Sequence, residues 1–95
     1  MLLNHDTVLD IVYLTVRETT GDSNTTLTPE ARLTNDLGID SLDQAEIIVK
    51  LEREFPTANF GLLDYFDYDE LTLSGITDFI CKSAEQAETQ QEEHV

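Results

Sequence analysis

Basic residues are scarce in this chain: five Lys and Arg stand against twenty Asp and Glu among 95 residues, a formal charge of −15. Such a surface repels nucleic-acid phosphates and anionic membranes, which excludes both as partners. It favours proteins with basic docking patches, reached by electrostatically steered encounters. It also repels itself, so stability should be modest and rise with salt or divalent cations. Cysteine is almost missing. The single Cys81 excludes an internal disulfide and any metal site built on several cysteines. With Lys82 beside it and no His or second Cys close by, it reads as a spectator thiol. No stretch is apolar for long enough to span a bilayer, so no membrane insertion is expected. Met1-Leu2-Leu3-Asn4-His5-Asp6 lacks the basic start and long apolar run of a secretion signal. The expectation is a cytoplasmic monomer with one modest core.

Histidine is equally sparse, and this limits the chemistry. His5 and His94 lie near the two termini, and no Gly-x-Ser-x-Gly turn exists. A serine nucleophile needs a base oriented by a third group, together with oxyanion donors. The chain is therefore not expected to be an enzyme. Asp64, Asp67, Asp69 and Glu70 lack the spacing and central glycine of a calcium loop, so no dedicated metal site is expected there.

What is present is helical periodicity. Asn4 and Asp6 are candidate caps for a helix over about 5–20, with Val8, Ile11, Val12 and Thr15 or Val16 inward. The run Thr19–Thr26, containing Gly21, ends it. A long loop follows to about residue 39, with a short turn at Pro29-Glu30-Ala31 and with Leu27, Leu33, Leu37 and Ile39 pinning it to the core. In so small a domain a loop of this length usually has a job. A second helix over about 41–55 buries Ile47, Leu51 and Phe55, with Ile48 beside them, and Pro56 stops it. Leu42, Ala45 and Val49 make a separate stripe facing outward. A short helix is expected around Leu62–Phe66, with Phe60, Leu63, Tyr65 and Phe66 as anchors. Thr72 or Ser74 caps a last helix reaching about Ala87, with Ile76, Phe79, Ile80 and Ser83 or Ala84 inward. Three longer helices plus one short helix, with no alternating strand pattern, predict an all-α, small antiparallel four-helix bundle. Residues 1–87 form the domain and 88–95 a flexible polar tail.

The most distinctive stretch is Asp36-Leu37-Gly38-Ile39-Asp40-Ser41-Leu42-Asp43. Asp40 is a good N-cap, which puts Ser41 at the first helical position, exposed at a loop-helix junction. Gly38 permits the tight approach. Asp-Ser-Leu alone would be ordinary capping chemistry. The longer pattern, continuing through Glu46, Leu51, Glu52, Glu54 and Phe55, resembles the acyl carrier protein family. Thr72-Leu73-Ser74-Gly75-Ile76-Thr77-Asp78-Phe79-Ile80 is similar to the final helix of carriers from polyketide and peptide assembly lines.

The resemblance implies that a phosphopantetheinyl transferase attaches 4′-phosphopantetheine to Ser41. Acyl groups would then ride as thioesters to acyltransferases, ketosynthases or acyl-adenylating ligases with basic docking patches. The attached phosphodiester would sit beside a helix N-terminus, favoured by about 0.3–1 kcal/mol. Asp40 and Asp43 oppose it by repulsion, so they read as partner contacts together with Glu46. Leu42, Ala45 and Val49 would form the apolar centre of that surface. Ile47, Ile48, Leu51, Phe66, Ile76, Phe79 and Ile80 are candidates for lining an acyl slot between helices. The stretch 56–71 departs from the family: Phe66-Asp67-Tyr68 precedes Thr72-Leu73, but Asp69-Glu70-Leu71 intervenes and a proline is missing. The Asp-Ser-Leu-Asp context leans toward fatty-acid synthesis and the downstream run toward polyketide-type pathways. The alternative function is an unmodified acidic adaptor or regulator that uses the same fold to bind basic surfaces.

Overall fold

A computed structural model describes residues 4–21, 26–58, 60 and 71–93, with side chains through residue 84. Helix α1 spans His5–Thr20, α2 spans Ser41–Glu54 and α3 spans Leu73–Glu93; α1 packs against both of the others. Among the described residues the fold is all-helical, with one isolated antiparallel bridge between Arg32 and Thr72 and no strand. The expected short helix around Leu62–Phe66 lies outside the described residues, as do its anchors Leu63, Tyr65 and Phe66. The described residues thus form three helices of the expected all-α class.

Helices α1 and α2 begin and end for local reasons, whereas the start of α3 also draws on the distant loop. For α1, Asn4 is the cap: its Oδ1 accepts the N–H groups of Asp6 and Thr7 at 2.9 and 3.2 Å, which satisfies two orphan donors. At the other end Gly21 turns left-handed, φ 73°, and its N–H donates to the Arg17 carbonyl. That conformation is cheap only without a Cβ. In α2, Phe55 is the C-cap, and Pro56, which has no N–H to give, follows it. Of the two candidates for α3, Thr72 caps, accepting the Gly75 N–H at 2.9 Å. The loop completes that cap, since Leu73 and Ser74 donate to the carbonyls of Ala31 and Pro29 at 3.1 and 2.8 Å. Past Ala87, where the helix was expected to end, the residues to Glu93 are Glu and Gln with one Thr, and no Gly or Pro. Accordingly α3 continues to Glu93.

The core joins all three helices and the loop. Val8, Val12, Leu33, Ile39, Ile47, Leu51, Phe55, Leu73, Ile76 and Ile80 are buried in one cluster, with Ile11, Ile48 and Phe79 half-buried against it. Phe60 is buried and meets Phe79 edge to face, centroids 5.8 Å apart, a favoured aromatic geometry. Thr15 and Thr77 enter this interior because their hydroxyls donate to the Ile11 and Leu73 carbonyls one turn back, at 2.7 and 2.9 Å. A buried hydroxyl is tolerated when bonded in this way. Two polar links tie the helices at the surface: His5 Nε2 lies 2.8 Å from Asp78 Oδ1, joining α1 to α3, and Lys50 Nζ donates to Thr19 Oγ1 at 3.0 Å, joining α2 to α1.

Candidate functional site

The loop before α2 is built to deliver one residue. Leu33 and Ile39 bury their side chains, and the Ile39 N–H donates to the Leu33 carbonyl at 2.9 Å, closing the segment between them. Inside that closure Gly38 takes φ 63°, and its N–H donates to the Thr34 carbonyl at 3.0 Å. A side chain in this left-handed region would cost about 1–2 kcal/mol, which is why glycine stands here. Asp36 Oδ2 accepts both the N–H and the Nε–H of Arg32, at 2.8 and 3.2 Å. The backbone bond first, then the guanidinium bond, hold the Asp36 carboxyl below its ordinary value.

The chain then leaves the core at Ile39, and Asp40 opens α2 in an extended conformation. Its Oδ1 accepts the Asp43 N–H at 2.9 Å, and its carbonyl accepts the Gln44 N–H at the same distance. Ser41 is exposed at the first position of the helix. Leu42 beside it is 80 % exposed and Val49 45 %, and Ala45 and Glu46 are also exposed. An alcohol oxygen is therefore offered at a helix N-terminus, next to an uncovered apolar stripe. Asp43 is half-buried, so of the expected acidic contacts Asp40 and Glu46 are the more open, and Asp40 is also engaged as a cap.

Of the slot candidates, Ile47, Leu51, Ile76 and Ile80 are fully buried in the central cluster, while Ile48 and Phe79 sit half-buried at its margin. Phe66 lies outside the described residues, as do the acids Asp64, Asp67, Asp69 and Glu70. Cys81 is a half-buried free thiol on α3. Among the described residues no group of three or more His, Cys, Asp or Glu could hold a metal ion, and no helix is long and apolar enough to cross a membrane.

One residue of the site escaped the sequence reading. Gln44 is buried, 8 % exposed, and its Nε2 donates to the Ile39 carbonyl at 2.7 Å and to Thr34 Oγ1 at 2.9 Å. Glutamine usually belongs on the surface. Its register was the available signal, since position 44 lies on the same helical stripe as Ile47 and Leu51.

Comparison with known proteins agrees with this geometry. The family described as "Phosphopantetheine attachment site" matches residues 10–80, which include α2 and the loop before it. An acyl carrier protein of Cyanidioschyzon merolae is 42% identical over 48 residues, covering 50% of this chain and 53% of that protein. Acyl carrier protein 2, mitochondrial, of Arabidopsis thaliana is 40% identical over 53 residues, 56% of this chain and 42% of that one. Acyl carrier protein AcpXL of Rhizobium etli is 40% identical over 55 residues, 58% and 55%. The chain thus spans about half the length of these curated relatives. No solved structure matches it significantly. An exposed serine at the start of a helix fits a covalently attached phosphate ester. The chain belongs to the acyl carrier protein family, whose members bear covalently attached 4′-phosphopantetheine.

Proposed function

We propose that this protein is a carrier without catalytic activity of its own, and that Ser41 is the point at which 4′-phosphopantetheine is attached. When bound, the group supplies a thiol on a flexible arm, on which acyl intermediates can be held as thioesters. The chain's own residues do the rest. The helix N-terminus accommodates the phosphodiester charge. Leu42, Ala45 and Val49 offer an apolar centre to a visiting enzyme, and Asp40, Asp43 and Glu46 form an acidic rim for Arg and Lys on it. Ile47, Leu51, Ile76 and Ile80, buried between the helices, with Ile48 and Phe79 at their margin, are the residues that would part to shelter an acyl chain; Phe66, the remaining candidate, lies outside the described residues. The visiting enzymes are a phosphopantetheinyl transferase, then the acyltransferases, ketosynthases or ligases of a fatty-acid or polyketide-type pathway, in the cytoplasm.

The observation that carries this reading is the exposed Ser41 hydroxyl at the start of a capped, acidic helix within the family-matched region. Co-expression with a broad-specificity transferase, followed by intact mass measurement, tests it. The expected result is a single phosphopantetheine adduct that disappears in Ser41→Ala. A wild-type chain of unaltered mass would instead favour an acidic adaptor that is never modified.

A further inference from the structure

We infer that Gln44 is a positioning residue for the modification of Ser41: its side-chain amide holds the peptide before Asp40 so that the serine oxygen meets a transferase in one orientation. The inference rests on Ser41 being the attachment point and adds a residue to that site. Gln44 lies one turn after Ser41, and a glutamine amide has two N–H donors. Both are directed at the loop, to the Ile39 carbonyl at 2.7 Å and to Thr34 Oγ1 at 2.9 Å. The Gln44 backbone N–H also donates to the Asp40 carbonyl at 2.9 Å. One residue thus grips the two residues that immediately precede Ser41. An apolar side chain of similar size would fill the same buried stripe but leave the Ile39 carbonyl without its donor. The amide therefore serves the loop, whereas the stem serves the core.

Orientation matters because the step is an in-line displacement. The Ser41 oxygen forms a bond to the pantetheine-bearing phosphorus of a pyrophosphate donor of the coenzyme A class. The serine proton passes to a base on the transferase, and the donor's nucleotide half leaves with the electrons of the broken P–O bond.

The test is steady-state loading of wild type, Gln44→Met and Gln44→Glu, followed by intact mass, with the folded fraction of each taken from circular dichroism. Methionine keeps the length and helix preference; ionised glutamate keeps the shape but cannot donate. The expected result is a transferase kcat lower by about tenfold, with KM on the folded carrier concentration unchanged, because the docking surface is intact while the oxygen is misplaced. A general loss of structure would instead lower the folded fraction, raise the apparent KM on total carrier in proportion, and leave kcat alone. Wild-type kcat in either folded variant overturns the inference. So does failure of both to fold, since the amide would then hold the domain and not the serine. A wild-type chain that gains no mass overturns the attachment itself, a separate and visible outcome.

Discussion

Asp36 accepts two hydrogen bonds from Arg32, and the more important comes from the backbone N–H, so its carboxyl is held below the ordinary 3.8. A carboxyl lowered in the folded state stabilises that state above its unfolded value, and the contribution vanishes as pH falls through the lowered folded value. The loop before Ser41 should therefore stay closed down to the ordinary carboxylate range and loosen only below it. An NMR titration of the Asp36 carboxyl should show a midpoint under 3.8, with the Gly38 amide shifting in step. A midpoint at or above the ordinary value would mean that the Arg32 bonds do not form in solution. Asp36 does not announce this role in sequence, and Gln44 signals its burial only through its register with Ile47 and Leu51. An aspartate and a glutamine near a helix start look like solvated polar residues, and the partners that make them structural come from folding back the loop.

At the scale of elements, α2 carries two faces that the periodicity separated in advance. Ile47, Leu51 and Phe55 are buried, and Leu42, Ala45 and Val49 are left to solvent. The inner face was legible because apolar residues recur at helical spacing. The outer one was legible because apolar residues there fall off that stripe. If the outer face docks enzymes, then Asp43→Lys with Glu46→Lys should slow loading on the order of tenfold at low ionic strength and flatten its salt dependence. Loading at the wild-type rate would remove these acids from the docking surface. The end of α3 shows the opposite situation. Its register was clear but its length was not, because nothing between Ala87 and Glu93 breaks a helix and only the formed structure shows how far it continues.

The molecule as a whole is an acidic object of radius of gyration 13.5 Å carrying a net charge of −15. At Tyr13 burial is the first cause of a raised phenol pKa; the neighbouring Glu30 and Asp10 raise it further and Arg17 opposes them. At about 0.01 M ionic strength the Debye length is about 30 Å, longer than the molecule's radius, so all its carboxylates repel one another. At about 0.15 M it is about 8 Å, and only near neighbours do. The thermal midpoint should rise across that range at pH 7. A midpoint that is flat or falling in a salt series followed by circular dichroism would show that the repulsion is not what limits stability. Composition alone supports this expectation, because long-range repulsion depends on the sum of the charges far more than on their positions.

The sequence by itself determined the all-helical class, where α1 and α2 begin, the buried stripe of α2 and the serine offered at its start. Those features depend on neighbours within a turn or two: caps, spacing, and a glycine where φ must be positive. Tertiary structure decided that Ala31 and Pro29 cap α3, that His5 meets Asp78, and that Gln44 turns inward to hold Ile39 and Thr34. The α3 cap and the His5–Asp78 link join residues far apart along the chain. Gln44 holds near neighbours, but it turns inward only because the loop folds back and buries a carbonyl that must find a donor.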